Sequence, residues 1–284
     1  MEIIRPYDKK IHENSENVYI EAYRSKPSPE MAKYPRPVMV VFPGGAYAMT
    51  SDREAEPVAD CYKAAGYEVF VVRYTVAPHC HEINPLLDAA QSIAYIRRHA
   101  EEFHIDPDKI AVCGFSAGGH LAAYISTCYN DERVLSILGL EKDEARPNAT
   151  VLCYPVISSA DHPHFGSFVY LLSSEDPDKE ALKRVSLELK VTEKTPPTFI
   201  WSTANDNGVP VENSLIYATA LSAHKVPFEL HIFPNGLHGL STARSNVCWS
   251  EDIRDHLVVP YVSRWVGLSI KWLDDTFFDG TYSK

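Results

Sequence analysis

The sequence has no long apolar run, no excess of basic charge and no paired-cysteine motif. No apolar stretch in its 284 residues approaches the length of roughly 20 residues that a membrane-spanning helix needs. No apolar segment follows the charged amino terminus, so no secretory signal is expected. The formal net charge of −11 disfavours nucleic acid and membrane surfaces as partners, because both require a basic face. We expect an ordinary soluble globular protein, and the charge says little beyond its solubility.

Six cysteines are spread along the chain without a Cys-x-x-Cys motif. Cys113 and Cys153 lie inside apolar, strand-like segments, where free thiols behave as small core side chains. Together with the missing signal, this pattern predicts reduced cysteines and a cytosolic protein. His79 and His81 flank Cys80, but their spacing fits no standard metal site. We interpret them as loop residues, a metal site being the alternative, and expect neither a metal nor a cofactor.

Strand-like and helix-like stretches alternate along the chain without an internal repeat. This alternation is typical of an α/β fold, with a mostly parallel sheet covered by helices on both faces. The segment 38–42 is apolar throughout, as expected for a strand buried on both sides. Further strands are predicted at 18–24, 67–74, 110–113, 151–156, 198–201 and 228–233.

Helical patterns fill the segments between these strands. One helix is predicted to begin with Asn84 as its N-cap and Pro85 at its first position. Further helices are predicted at 54–65, 117–129, 211–223 and 255–272. The last places four side chains on one stripe, namely Tyr261, Trp265, Leu268 and Trp272. Such a stripe is more typical of a core-facing side, and a homo-oligomer interface is the alternative.

A long segment without a strand separates the strands predicted at 151–156 and 198–201. Two parts of it, 167–172 and 178–189, have helical character. An insertion at this place lies above the carboxyl ends of the strands, where open α/β sheets bind ligands. We therefore predict one domain spanning 1–284, with a small helical lid at about 158–196. The alternative is a surface excursion that does not contact substrate.

The segment 114–118, Gly-Phe-Ser-Ala-Gly, is a G-x-S-x-G motif between a predicted strand and a predicted helix. Such a motif forms a sharp turn that exposes the serine, and small residues on either side let the chain pass. The amino terminus of the following helix stabilises negative charge that develops beside it. The motif therefore predicts Ser116 as a nucleophile.

A nucleophilic serine needs a general base, and the base needs an acid that orients it. His238 lies in a loop directly after the strand predicted at 228–233, whereas the other histidines beyond Ser116 fall on helices, a strand or the lid. Asp206 follows the strand predicted at 198–201. The chain order serine, acid, histidine is that of α/β-hydrolases. Ser116, Asp206 and His238 are therefore the predicted catalytic triad.

Backbone N–H groups are needed to bind the oxyanion that forms when a carbonyl is attacked. One is expected from Ala117, directly after the nucleophile. Two more are expected from Gly45 and Ala46, in the glycine-containing loop after the strand at 38–42. Four side chains near this loop or in the lid are candidates for substrate contact: Tyr47, Arg53, Phe165 and Phe168.

Beyond these motifs, the chain resembles bacterial esterases related to acetyl-xylan esterases and to the hormone-sensitive-lipase group of the α/β-hydrolase superfamily. The matching segments are 42–47, 51–57, 110–121, 195–199, 209–214 and 231–240. The resemblance implies an α/β-hydrolase fold and hydrolysis of short acyl esters, chiefly acetyl groups on sugars or xylo-oligosaccharides, without metal or cofactor. It also places the triad on Ser116, Asp206 and His238.

The predicted oxyanion loop departs from the commoner His-Gly-Gly-Gly form. Pro43 stands in place of the histidine and Ala46 in place of the third glycine. A backbone N–H remains at Ala46, so the hole is expected to form, with less space near the acyl group. Three alternatives stay open: a general short-chain carboxylesterase, a peptidase similar to prolyl oligopeptidases, and a ligand-binding hydrolase fold without catalysis.

Overall fold

A mostly parallel sheet forms the centre of the molecule. The computed structural model describes residues 1–26, 28–30 and 34–279. Within them, eight strands form one sheet: β1 Glu2–Ile4, β2 Tyr19–Tyr23, β3 Arg36–Phe42, β4 Glu68–Arg73, β5 Ile105–Phe115, β6 Ala149–Cys153, β7 Thr198–Thr203 and β8 Phe228–Phe233. Their order is β1-β2-β4-β3-β5-β6-β7-β8. Strand β2 is antiparallel to β1 and β4, and β3 to β8 are mutually parallel.

Helices cover both faces of this sheet. They are α1 Glu56–Ala64, α2 Asn84–Arg98, α3 Ala100–Phe103, α4 Ala117–Cys128, α5 Glu132–Leu138, α6 Phe165–Leu172, α7 Lys179–Arg184, α8 Glu212–Ala223, α9 Arg254–Leu257 and α10 Trp265–Phe277. Along β3, Val38, Val40 and Phe42 belong to the core cluster that also includes residues of α2, α4 and α8, while Met39 and Val41 belong to the cluster that includes residues of α1 and α10. Because successive residues of a strand face opposite sides, a strand covered on both faces must be apolar throughout.

All seven predicted strands are present, with ends that differ by a few residues. The strand predicted at 151–156 ends at Cys153, because Tyr154 has a φ of 37° that no strand residue adopts. Strand β1 was not predicted. Only Ile4 of its three residues is buried, which leaves no alternating pattern to detect.

Two predictions about helices were wrong in detail. Asn84 is the first residue of α2 rather than its N-cap, and Ile83 precedes it. The Asn84 side chain instead donates a hydrogen bond to the His79 carbonyl at 2.8 Å. The helix predicted at 255–272 is broken between α9 and α10. Pro260 lies in the break, where its ring and missing N–H prevent a continuous helix.

The aromatic stripe predicted on that helix is divided by the break. Trp265 and Trp272 are buried on α10 against the sheet, as a core-facing stripe requires. Tyr261 and Leu268 are exposed. Homo-oligomer formation stays a prediction. In the part of the chain that the structure describes, we find no helix whose length and hydropathy suit a bilayer crossing.

The insertion between β6 and β7 contains α6, α7 and a 3-10 turn, Leu187–Lys190. Its buried side chains belong to the same core as α2 and α4: Phe168, Leu171, Val185 and Leu187. Backbone hydrogen bonds anchor it at two places, from Glu82 N to Leu171 O (2.7 Å) and from Leu187 N to Ile157 O (3.2 Å). The insertion is therefore packed onto the helices beneath it, and its action as a lid over substrate stays a prediction.

Candidate active site

Ser116 occupies the turn between β5 and α4. Its backbone has φ 52° and ψ −119°, a combination that residues other than glycine rarely adopt. Two hydrogen bonds hold this conformation: Ser116 N donates to Cys153 O, and Val156 N donates to Ser116 O, both at 3.0 Å. The serine therefore stands at the carboxyl end of β5 and at the amino terminus of a helix, as the motif predicts.

The two glycines of the motif are explained by close backbone contacts. A Cβ added to Gly114 would lie 2.1 Å from the carbonyl oxygen of Gly118. A Cβ added to Gly118 would lie 2.1 Å from the carbonyl oxygen of Phe42, at the end of β3. Backbone atoms cannot rotate away as a flexible side chain can. Glycine at both positions is thus what allows β3, β5 and α4 to approach one another around Ser116.

The structure brings the three predicted polar residues into one hydrogen-bonded line. His238 Nε2 lies 2.8 Å from Ser116 Oγ, and His238 Nδ1 lies 2.9 Å from Asp206 Oδ2. The Asp206 side chain is 1% exposed and that of His238 is 23% exposed. Asp206 Oδ1 also accepts hydrogen bonds from the N–H groups of Gly208 (2.8 Å) and Val209 (2.9 Å). The carboxylate is thereby fixed in place behind the imidazole.

Two asparagines that sequence reasoning missed hold the histidine loop. Asn205 Oδ1 accepts a hydrogen bond from Gly236 N at 2.8 Å, and Asn207 Oδ1 accepts one from His238 N at 3.0 Å. They flank Asp206 in the sequence, so the loop after β7 clamps the loop after β8 at three consecutive residues. The only signal for them was their position beside the predicted acid.

In the described part of the chain, the N–H groups predicted to bind an oxyanion, those of Gly45, Ala46 and Ala117, donate no hydrogen bond. Ala46 and Tyr47 have φ values of 55° and 62°, which turn this loop sharply after β3. The Gly45 carbonyl closes the turn by accepting from the N–H group of Met49 at 3.2 Å.

Two of the four candidate substrate contacts are core residues instead. Tyr47 is fully buried, and its hydroxyl hydrogen bonds to His120 Nδ1 at 2.8 Å. Phe168 is fully buried and packs edge-on against the same imidazole, with ring centroids 5.5 Å apart. Neither side chain has a surface to offer a ligand, so the expectation of substrate contact is wrong for both.

The other two candidates, Arg53 and Phe165, are at least partly exposed. Arg53 Nη1 donates to the carbonyl of Gly239, next to His238, at 2.8 Å. The Arg53 guanidinium also lies 4.9 Å from the ring centre of Trp249, whose side chain is 66% exposed. Phe165 is 46% exposed at the start of α6. Arg53 and Phe165 therefore stay candidates for substrate contact.

His120 connects three parts of the site without being available for chemistry. It is fully buried on α4, and burial lowers its pKa to about 4, so the imidazole is neutral near pH 7. The Nε2–H group donates to the Val185 carbonyl at 2.8 Å, and Nδ1 accepts from the Tyr47 hydroxyl. The tautomer is assigned from this pairing. His120 thus joins the loop after β3, the helix after Ser116 and the insertion.

A second histidine lies close enough to interact with the triad electrostatically. His164 precedes α6, and its Nδ1 atom hydrogen bonds to Ser167 Oγ at 2.9 Å. Partial burial and the neighbouring His238 both lower its pKa, whereas Asp206 opposes that change. From the sequence, His164 can be assigned only to the lid, because its position relative to the triad depends on how the insertion packs.

Elsewhere, the histidines around Cys80 form a hydrogen-bonded cluster with Glu13 at the surface. His79 Nδ1 and His81 Nε2 lie 2.6 and 2.9 Å from the same oxygen of Glu13. In the described ranges, no group of three or more histidine, cysteine or acidic side chains is arranged to hold a metal ion.

A cavity of about 620 Å³ lies at the opposite end of the sheet from Ser116. Arg36 and Glu68, which begin β3 and β4, contribute to its lining together with Arg24 and Phe103. Ser116 follows the carboxyl end of β5, whereas Arg36 and Glu68 stand at the amino ends of β3 and β4. In parallel strands, the amino ends and the carboxyl ends lie at opposite edges of the sheet. The cavity is therefore separate from the candidate active site.

Parallel strands covered by helices, with a serine on the turn between the fifth strand and its helix, define the α/β-hydrolase fold. A solved structure supports this class. It is the acetyl ester-xyloside bifunctional hydrolase from Caldicellulosiruptor lactoaceticus, which is 37% identical with a TM-score of 0.82. The alignment covers 98% of this chain and 97% of that one. The predicted fold class is confirmed.

Sequence comparisons then identify the family. The family model BD-FAE matches residues 27–221, and the chain belongs to this family. Endo-1,4-beta-xylanase B of Butyrivibrio fibrisolvens is 37% identical over 217 residues, which cover 73% of this chain and 33% of that protein. Acetylxylan esterase of Xylanibacter ruminicola is 34% identical over 206 residues, which cover 71% and 40%. The chain thus spans between a third and two fifths of these curated relatives, and the predicted resemblance is confirmed.

Proposed function

We propose that the protein is a serine ester hydrolase that removes short acyl groups, chiefly acetyl, from a carbohydrate or a similar polyol. The observation that carries this proposal is the line from Asp206 through His238 to Ser116, with contacts of 2.9 and 2.8 Å. A neutral imidazole placed in this way is a general base for the serine hydroxyl.

In the proposed acylation step, His238 Nε2 takes the proton of Ser116 Oγ while the oxygen attacks the ester carbonyl carbon. The carbonyl oxygen becomes an oxyanion and accepts hydrogen bonds from the free N–H groups of Gly45, Ala46 and Ala117. The tetrahedral intermediate collapses when the bond to the alcohol oxygen breaks. His238 donates its proton to that oxygen, and the alcohol leaves.

In the proposed deacylation step, water takes the place of the alcohol. His238 accepts a proton from this water, whose oxygen attacks the acyl-enzyme carbonyl, and then returns the proton to Ser116 Oγ as the acid leaves. The Asp206 carboxylate holds the imidazole in the required tautomer and stabilises the imidazolium in both steps. Each step balances without a metal or a cofactor.

The substrate class is supported by the relatives and by the site entrance. Two similar proteins carry acetyl ester or acetylxylan in their names. We propose that Arg53, which donates to the carbonyl of Gly239 next to His238, and the exposed Phe165 contact the alcohol part of such a substrate. The cytosolic location stays a prediction from the sequence. The acetyl ester-xyloside hydrolase carries the most weight, because the alignment covers 97% of it, against 33% of the xylanase B and 40% of the acetylxylan esterase.

The experiment measures hydrolysis of p-nitrophenyl acetate, butyrate and octanoate and of an acetylated xylo-oligosaccharide. Ser116→Ala should lose at least about a thousand-fold in kcat/KM and should not react with a fluorophosphonate probe. Ser222→Ala, a substitution at an exposed serine on α8, is the matched control and should behave as wild type. Acetyl should be the preferred acyl group, with the oligosaccharide deacetylated.

Each of the other possible results contradicts one particular part of the proposal. An unchanged rate in Ser116→Ala means that Ser116 is not the nucleophile. An inactive variant combined with a preference for octanoate retains the mechanism but removes the carbohydrate substrate. Cleavage of a proline p-nitroanilide in preference to esters favours a peptidase.

A further inference from the structure

Glu54 is a buried carboxylate that the mechanism above does not use. It lies in a 3-10 turn, Asp52–Glu54, and is 3% exposed. Its Oε2 atom accepts a hydrogen bond from the N–H group of Gly44 at 2.7 Å. Its Oε1 atom accepts one from the Tyr154 hydroxyl, also at 2.7 Å. Hydrogen bonds of this length to a charged acceptor are among the stronger ones in proteins.

Tyr154 extends this contact to the histidine loop. Its hydroxyl oxygen accepts a hydrogen bond from the N–H group of Ser241 at 2.8 Å. Its ring packs edge-on against the His238 imidazole, with centroids 5.0 Å apart. Burial, and then the charge of Glu54, raise the Tyr154 pKa well above its usual value, so the hydroxyl keeps its proton. Glu54 is thus joined through one neutral tyrosine to the segment that carries the general base.

The hydrogen-bond donors in this network require an ionised carboxylate. Three donors point inward: the N–H of Gly44, the O–H of Tyr154 and the N–H of Ser241. The Tyr154 oxygen accepts from Ser241, so the N–H of Gly44 and the O–H of Tyr154 each need one of the two carboxylate oxygens of Glu54. A glutamine offers one acceptor oxygen in place of two, and its NH2 group brings two donors to a position where a donor already points. Replacement of Glu54 by glutamine, its neutral isostere, therefore leaves a hydrogen-bond donor of the network without an acceptor.

The carboxylate also lies directly against the backbone that carries the chemistry. A Cβ added to Gly44 would be 2.7 Å from Glu54 Oε2 and 3.0 Å from Ser116 Cβ. Gly44 is the residue before the two proposed oxyanion donors, Gly45 and Ala46. A change in its position would move those donors relative to Ser116.

We propose that Glu54 is a positioning residue for the reaction: its ionised carboxylate fixes the loop of Gly45 and Ala46 relative to the loop of His238. This inference rests on the proposed function. Because Glu54 is 3% exposed and makes its hydrogen bonds to Gly44 and Tyr154, its effect falls on the geometry of the transition state rather than on substrate binding. Donors that stabilise an oxyanion must be held within a few tenths of an ångström of their best position. Loss of the carboxylate should therefore lower kcat and leave KM nearly unchanged.

The test compares Glu54→Gln with Glu68→Gln. Glu68 is also 3% exposed and accepts a backbone N–H bond, from Ser25 at 2.7 Å, but it lies at the opposite end of the sheet. With p-nitrophenyl acetate, Glu54→Gln should lose roughly 10- to 100-fold in kcat, with KM within about threefold. Glu68→Gln should keep kcat within about twofold. The inhibition constant of a trifluoromethyl ketone, which mimics the tetrahedral intermediate, should rise in Glu54→Gln by the same factor as kcat/KM falls.

Tyr154→Phe provides a second, independent variant, which removes the link without changing the carboxylate. Because the two residues act as one unit, Tyr154→Phe should lose kcat to a similar extent, and the double variant should be no worse than either single one. Labelling of each variant by a fluorophosphonate to one equivalent shows that Ser116 and the fold survive.

Three results overturn the proposal: full kcat in Glu54→Gln, equal losses in Glu54→Gln and Glu68→Gln, or losses that multiply in the double variant. Failure of the proposed function is recognised separately, since it appears in the wild type and in Ser116→Ala before any change at Glu54.

Discussion

The strained backbone conformation of Ser116 is held by hydrogen bonds and by the packing of the residues around it. A residue other than glycine in such a conformation costs about 1–3 kcal/mol, which surrounding contacts must offset. Here the offset comes from the hydrogen bonds to Cys153 and Val156 and from the contact of Gly118 with β3. The side chain of the proposed nucleophile is thus held in place by the packing of three elements.

Gly118→Ala tests this packing. The added methyl group would lie 2.1 Å from the carbonyl of Phe42 and 2.4 Å from that of Pro43, so β3 and α4 must separate. We expect loss of esterase activity and a lower melting temperature. Gly267→Ala is the control: this glycine lies on α10 with no neighbour within 4 Å of an added Cβ. There the gain in helix propensity should stabilise the protein by up to about 1 kcal/mol. Equal melting temperatures for the two variants would contradict the argument.

The positions of single residues could be predicted where they depend on local order along the chain. Ser116, Asp206 and His238 each follow a strand that the sequence reveals, so their meeting at one sheet edge could be expected. The burial of Tyr47 and Phe168 could not, because Tyr47 lies in a loop without periodicity and Phe168 lies on a short, mostly apolar helix whose pattern does not separate inside from outside. The role of Glu54 could not be predicted either, because its sequence pattern indicates only the start of a helix.

Helix α6 places two aromatic residues in opposite environments. Phe165 is 46% exposed and Phe168 is fully buried. Phe168→Ala should therefore lose about 3–5 kcal/mol of unfolding free energy, because a cavity remains under the insertion. Phe165→Ala should leave stability within about 0.5 kcal/mol and raise KM several-fold for the acetylated oligosaccharide.

Urea unfolding and steady-state kinetics on both variants check this contrast. If Phe165→Ala has unchanged KM for every ester, the insertion does not meet the substrate at this residue. If Phe168→Ala is as stable as wild type, the insertion is not held by the core.

Strands were easier to predict than helices in this chain. Those of the parallel sheet are buried on both faces, so their apolar runs stand out between polar turns. The last helix was misjudged because its apolar spacing continues across Pro260, and spacing alone does not register a broken backbone. Asn84 likewise carries the composition of an N-cap, yet its amide is used by the His79 carbonyl.

For the molecule as a whole, His120 makes stability depend on pH. Its pKa is about 4 in the folded protein and about 6.5 when unfolded. Between these values the unfolded chain binds a proton that the native state excludes, so unfolding free energy falls as pH drops from about 6.5 towards 4. The loss from this residue approaches about 3 kcal/mol.

Urea unfolding at several pH values between 7 and 4.5 measures this effect. His120→Gln should show a shallower fall than wild type, by up to about 1.4 kcal/mol per pH unit. His224→Gln, at the exposed end of α8, should run parallel to wild type. Identical slopes for wild type and His120→Gln would show that the imidazole is not the group responsible.

The contact between Gly118 and the end of β3 has a consequence for how substrate preference can evolve. It joins the nucleophile turn and the oxyanion loop into one block, whose spacing is set by main-chain atoms. Exposed side chains such as Phe165 and Trp249 belong to segments that carry none of the proposed reacting groups. On the proposed function, exchange of those side chains would change which alcohols are accepted and leave the reacting groups in place.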